Sequence, residues 1–197
     1  MLCQFTESEL PADAPVNDLR RILLALVGLL AAALLSAPSA SAQETLSMSV
    51  ASDILVPVSN FSDVYNTGFG GNIQGRFQIE PALQIGLTAG FFSWAVKDGR
   101  LVSDLKGIPL RGLAKVNFAR PMYLFAEGGV FIGWTTGEFS VSRTDFNYAF
   151  GFGVESRLSK DGDIRFDAAL RYEGVARDAI PINNIVLRVG VTFTLIQ

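Results

Sequence analysis

The residues in this sequence that are best suited to do chemistry are charged side chains that recur two positions apart within apolar stretches. Oppositely charged groups inside a protein neutralise one another, whereas an unpaired buried charge is strongly destabilising. Carboxylates of this kind can also carry proton transfer. Since positive and negative members are both present, we predict one mutually neutralising network: Asp53, Arg76, Arg111, Lys115, Glu127, Glu155, Arg157, Arg165, Asp167, Arg171, Glu173 and Arg188.

The composition excludes most catalytic and metal chemistry. The 197 residues include no His and one Cys, so the chain cannot build a Ser-His-Asp triad, a His-metal site or an intrachain disulfide. A formal net charge of -3 leaves no basic surplus for neutralising nucleic-acid phosphates. We therefore predict a protein that is not an enzyme, with no cofactor, no metal and no nucleic-acid partner.

The most apolar stretch of the chain has the form of a targeting signal. Arg20 and Arg21 precede 14 apolar or glycine residues over 22–35, and small residues follow up to Ala42. This order is typical of a secretory signal with an Ala-x-Ala cleavage site. A short membrane anchor is the alternative, but a spanning helix needs about 20 residues. We predict that residues 1–42 are a leader and signal peptide cleaved after Ala42, and that 43–197 form one domain.

Alternation with a period of two dominates the chain after Ala42. Between Ile164 and Glu173, apolar residues fall on one face of a strand and charged residues fall mainly on the other. Eight such segments follow one another, each long enough to cross a bilayer, for which about 9 to 11 residues suffice. Their connections are alternately long and short. That pattern is typical of outer-membrane barrels, in which the short turns are periplasmic.

The polarity of the two faces indicates which one meets lipid. One face of every strand carries bulky Phe, Leu, Ile and Val, and the other carries Gly, Ser, Thr, Ala and the charges. A soluble eight-stranded barrel would hide the bulky set inside. We therefore predict an all-β fold, an eight-stranded antiparallel up-and-down transmembrane β-barrel. Aromatic residues near the strand ends, Trp94 and Tyr123 among them, predict two interfacial girdles.

Two stretches resemble the small outer-membrane β-barrel proteins of the OmpA/OmpX-like group. They run from Ile54 to Gly70, similar to a first hairpin, and from Phe150 to Glu155. The resemblance implies a barrel in the outer membrane of a Gram-negative-type bacterium, with membrane lipid and the outer-membrane assembly machinery as partners. Such proteins commonly end in an aromatic residue that this machinery reads. Here the last aromatic, Phe193, precedes Thr194-Leu195-Ile196-Gln197.

The leading functional hypothesis is a monomeric outer-membrane barrel with a plugged polar lumen. Its role would be structural or a surface interaction through extracellular loops, with a ligand that the sequence does not specify. Eight strands leave an interior just wide enough for side chains, which favours the plug. Two alternatives stay open: a narrow channel for small or apolar solutes, and a soluble periplasmic ligand-binding barrel.

Overall fold

The computed structural model describes residues 45–98, 103–136, 142–159, 163–177 and 181–196. The predicted signal peptide and its cleavage site at Ala42 lie outside these residues. Within the described ranges, no helix is long and apolar enough to cross a membrane.

Eight strands form a closed barrel in which each strand pairs antiparallel with the next and the last pairs with the first. The predicted eight-stranded up-and-down barrel is confirmed. The strands are β1 (Leu46–Pro57), β2 (Gly68–Gln78), β3 (Leu83–Trp94), β4 (Leu105–Ala119), β5 (Met122–Thr135), β6 (Ser142–Arg157), β7 (Ile164–Ala176) and β8 (Ile182–Ile196).

The two ends of the barrel differ in the length of their connections. Short turns join β2 to β3, β4 to β5 and β6 to β7, and we call this the turn end. At the opposite, loop end, the two longest connections, 58–67 and 95–104, join β1 to β2 and β3 to β4. The other two, 136–141 and 177–181, are no longer than the 158–163 connection of the turn end, so the regular alternation of long and short links expected from the sequence holds only for the first half of the barrel. The β1–β2 connection contains a short 3-10 helix over Ser59–Asp63, which we call the cap helix.

Successive side chains point alternately into the barrel and out of its wall. On β8, Leu187 and Val189 are more than 40% exposed, whereas Val186 and Arg188 are buried. The exposed large apolar residues are distributed over all eight strands. Because the outward row is apolar and the inward row carries the charges, the wall matches a lipid solvent outside and a polar interior.

The wall between β4 and β5 is too tight for a side chain at one inward position. A Cβ atom added to Gly129 would lie 2.0 Å from the carbonyl oxygen of Leu110, a backbone atom that cannot move aside without distorting the ladder. The neighbouring Gly128 points out of the barrel, and a Cβ there would meet nothing within 4 Å. Glycine is therefore required sterically at the first position and not at the second.

We expect Gly129→Ala to lower the free energy of unfolding by about 1–3 kcal/mol, the usual cost of overpacking. The matched substitution Gly128→Ala should stay within about 1 kcal/mol of the parent. Urea titration of the protein in lipid vesicles, followed by the gel mobility of unboiled samples, measures both. Equal destabilisation by the two substitutions would contradict the steric argument.

Candidate functional site

The interior of the barrel divides into two layers. Charged and amide side chains fill its middle and turn-end parts, and apolar side chains fill the part nearest the loop end. Both layers are built from inward positions of the strands. Ser49 and Asp53 of β1 belong to the polar layer, and Leu55, two residues further along the same face, belongs to the apolar one.

The middle of the polar layer contains three carboxylates held by two arginines. Arg111 places its Nε 2.9 Å from Glu127 and its Nη1 2.9 Å from Glu173. Arg171 lies 3.2 Å from both Asp53 and Glu173, and 3.9 Å from Glu127. Neutral groups add hydrogen bonds: amide and hydroxyl groups of Gln74 and Thr88 donate to Glu127, and Asn72 donates to Asp53. Shared partners of this kind make buried charges tolerable.

Glu155 and Asp167 organise the turn-end part of the polar layer. Glu155 accepts hydrogen bonds from Arg76 and Arg165, each at 3.0 Å, and from Lys115. Asp167 lies 3.4 Å from Arg188 and 3.9 Å from Arg76. Each carboxylate therefore has at least two basic neighbours. The cations face further acceptors, since Arg76 also donates to Thr192 at 2.6 Å.

The structure brings eleven of the twelve residues of the sequence-derived network into ion pairs with one another. Arg157 is placed differently: its side chain is exposed. It has the inward parity of Glu155 but is the last residue of β6, where the wall ceases to enclose side chains. Arg165, its partner across the ladder, is half-buried.

One buried acidic residue at the loop end was not anticipated from the sequence. Asp145 of β6 lies 2.5 Å from Nε of Arg143 and 2.6 Å from Nε of Arg177. β6 begins at Ser142, so Asp145 lies on the strand near its loop end. Asp145 shares the inward parity of Asn147, which was the available signal.

The apolar layer below the loop-end mouth replaces part of the polar interior that the sequence suggested. Trp94 was expected in the lipid-facing girdle, but it points inward and is 1% exposed. Gly68 on the neighbouring strand makes room for its ring, since a Cβ there would lie 2.4 Å from the indole. Tyr123 also points inward and donates its hydroxyl to Asp167. The full apolar cluster is Leu55, Phe61, Phe92, Trp94, Leu105, Phe131, Val175, Ile182 and Val186.

The cap helix inserts one aromatic ring into this layer. Phe61 is 1% exposed, and its ring centre lies 5.7 Å from that of Trp94 in an edge-to-face arrangement and 4.7 Å from that of Tyr65. The chain after the helix is joined to the β3–β4 connection by a bridge between Tyr65 and Val96. The N–H of Asn66 donates to the Ala95 carbonyl at 2.9 Å within the same pairing. Loop residues thus fold over the mouth.

Tyr65 connects the apolar layer with charged residues at the loop end, Asp104 and Arg177. Its hydroxyl donates to the Ser103 carbonyl at 3.4 Å, while its ring packs on Phe61. Burial raises the pKa of this hydroxyl above its ordinary value, against the opposing effect of Arg177, and the Asp104 carboxylate raises it further. The hydroxyl therefore stays protonated and remains a donor at neutral pH.

A closed antiparallel barrel with an apolar outer wall and an ion-paired interior defines an integral membrane β-barrel. The family model described as outer membrane protein beta-barrel domain matches residues 27–193, and the chain belongs to this family. It is a protein of the Gram-negative outer membrane, embedded in membrane lipid, like the small barrels of its family. The soluble periplasmic alternative is therefore wrong.

Solved structures share the fold at low sequence identity. The Neisserial surface protein A (NspA) is similar with a TM-score of 0.56 and 14% identity, over 78% of this chain and 98% of that chain. OprG from Pseudomonas aeruginosa is similar with a TM-score of 0.51 and 11% identity, over 79% of this chain and 97% of that chain. A comparison with curated proteins gives no match.

Proposed function

We propose that this barrel is a sealed, non-enzymatic scaffold that presents its loop-end segments at the cell surface. The observation that carries the proposal is the sequence of layers along the interior: an ion-paired polar layer, an apolar layer, and a cap helix that inserts Phe61. A rigid wall supporting loops is a common arrangement for binding. The surface ligand is one that those loops would recognise.

The apolar layer supports the sealed state more strongly than the charges do. A polar lumen alone could hold water between its ion pairs, and water would let small ions pass. Phe92, Trp94 and Phe131 lie at the layer where the charges end, with Trp94 and Phe131 ring centres 6.1 Å apart. An ion entering such a layer loses its hydration without gaining partners, which is strongly unfavourable.

The polar and apolar layers are also coupled through ring faces. The guanidinium carbons of Arg111 and Arg171 each lie 5.8 Å from the centre of the Phe92 ring. These cation–π contacts hold Arg111 and Arg171 against the apolar layer. The two layers would therefore resist separation, which supports a static seal.

Single-channel recording in planar bilayers tests the proposal. We expect no steady openings from the purified protein in symmetric salt, while a large outer-membrane porin inserted under the same conditions gives clear steps. Insertion should be verified independently by protection of the barrel from protease. Reproducible openings from inserted protein would support the narrow-channel alternative and contradict the sealed scaffold.

We also infer that the chain is delivered after cleavage at Ala42, inserted by the outer-membrane assembly machinery and stable as a monomer. The support is the signal-like pattern over 20–42 and a barrel closed by its own first and last strands, which leaves none of the eight described strands with a free edge for a second copy. Mass spectrometry of the outer-membrane form would establish its N-terminus.

A further inference from the structure

Phe61 occupies a space that the barrel itself builds. The walls of this chamber are inward side chains of the strands, among them Leu55, Trp94, Leu105 and Val186, all at most 2% exposed. The ring that fills it comes from the five-residue cap helix, which is not part of the wall. The chamber and its occupant therefore belong to separate structural elements.

The cap helix is held by hydrogen bonds at its flanks and by the ring of Phe61 rather than by a capping side chain. It has no hydrogen bond from an N-cap side chain, and Ser59 at its start has a φ of 57°, which is unfavourable for a residue other than glycine. The segment around it is held by the Val58–Asn183 and Lys97–Val64 backbone hydrogen bonds, each 2.9 Å. Its displacement would break the contacts of Phe61 and the hydrogen bond from Nζ of Lys97 to the Ser62 carbonyl, 2.6 Å.

A polar donor without a partner lies beside this chamber. The side-chain Oδ1 of Asn184 accepts from Nε1 of Trp94 at 3.2 Å. Within the described part of the chain, Nδ2 of Asn184 is buried and has no hydrogen-bond partner. A buried amide donor left unsatisfied is unfavourable, and an oxygen acceptor placed within hydrogen-bond distance of Nδ2 would satisfy it.

We propose that the chamber is a binding site for a small aromatic solute that carries an oxygen acceptor, and that the solute replaces the Phe61 ring. The ring of the solute would pack edge-to-face on Trp94 as Phe61 does, and its oxygen would accept from Asn184. The inference goes beyond the sealed scaffold and does not require the ion pairs of Arg111 and Arg171 to open. Binding and conduction are therefore separate properties.

A matched pair of probes tests the site. The protein in lipid nanodiscs is titrated with 4-fluoroacetophenone, which has a carbonyl acceptor, and with 1-ethyl-4-fluorobenzene, which has none. Binding is followed by fluorine NMR, and empty nanodiscs give the partition into lipid. We expect saturable binding of the ketone at one site per barrel in the wild type, and weaker binding of the hydrocarbon.

Three variants connect the binding to the chamber. Phe61→Ala removes the competing ring and should tighten ketone binding roughly tenfold to a hundredfold. This factor corresponds to the free energy of burying one aromatic side chain, which the solute no longer has to displace. Asn184→Leu should weaken ketone binding about fivefold and leave the hydrocarbon unchanged. Ile54→Ala on the lipid-facing wall is the control and should change neither affinity.

A reversible lock tests whether the cap helix must move. Asn66 and Ala95 face each other next to the Tyr65–Val96 bridge, so cysteines at both positions would tie the two connections together when oxidised. We expect the oxidised form to lose ketone binding and the reduced form to regain it. Absence of saturable binding in the wild type, equal binding of both probes, or binding unaffected by the oxidised lock would each overturn the proposal. Heat-modifiable gel mobility verifies that every variant is folded.

Discussion

Replacing Arg171 with methionine is expected to lower the free energy of unfolding by about 3–5 kcal/mol, the usual cost of removing one partner from a buried ion pair. Arg171 is fully enclosed and lies within 4.0 Å of Asp53, Glu127 and Glu173. Its loss leaves Asp53 without its basic neighbour and the other two carboxylates with Arg111. Methionine keeps an unbranched side chain as far as the position of Nε and removes the guanidinium.

Urea titration in lipid vesicles, followed by gel mobility, measures this effect. Arg157→Met is the matched control, because Arg157 is exposed at the end of β6, and it should remain within about 0.5 kcal/mol of the parent. Adding Asp53→Asn to Arg171→Met removes the carboxylate that has lost its basic neighbour. The loss in the free energy of unfolding of the double variant should then be smaller than the sum of the two single losses by about 1–3 kcal/mol. Additive losses would refute the ion-pair explanation.

Trp94→Ala is expected to destabilise the barrel by about 3–5 kcal/mol, because it empties the centre of a packed layer. Trp94 contacts Phe61, Phe92 and Phe131, and it donates to Asn184. Its removal leaves both a cavity and a second unsatisfied atom on that amide. Neither is relieved by lipid, since the residue is enclosed by the wall.

The chain supplies its own control, because its other tryptophan lies on the outer side of the wall. Trp134 is half-buried and its ring centre lies 6.1 Å from that of the lipid-facing Phe91. Lipid chains replace the contacts that a truncated outward side chain gives up, so Trp134→Ala should cost less than about 1.5 kcal/mol. The same titration separates the two variants. Similar losses for both would contradict the inward placement of Trp94.

The strand count, the pairing order and the polar half of the interior were accessible from the sequence because charges occupy alternate positions there. On β1 around Asp53 and on β8 around Arg188, for example, polar residues lie on one face of the strand and apolar residues on the other, and period-two alternation identifies both faces. Near the loop end this contrast disappears. Leu55, Trp94 and Ile182 point inward and are as apolar as their lipid-facing neighbours, so residue type no longer distinguishes the two faces.

The cap helix and the position of Arg157 at the end of the wall could not be predicted from the sequence pattern, for a different reason. A five-residue 3-10 helix has no periodicity, and the burial of Phe61 depends on a chamber assembled from strands far away in the chain. The exposure of Arg157 depends on where the wall ends, which alternation does not report. Hydrogen bonds such as Trp94 to Asn184 join residues 90 positions apart, and only the closed barrel brings them together.

Pairing of the first strand with the last has a consequence for the order of assembly. Asp53 stands on β1, and its basic neighbour Arg171 stands 118 positions later on β7, while β8 closes the ladder against β1. Until these last strands arrive, an open sheet in lipid would expose both an unpaired edge and an uncompensated carboxylate, each strongly disfavoured there. Insertion by way of a half-built sheet is thus penalised, and closure and membrane entry have to proceed together.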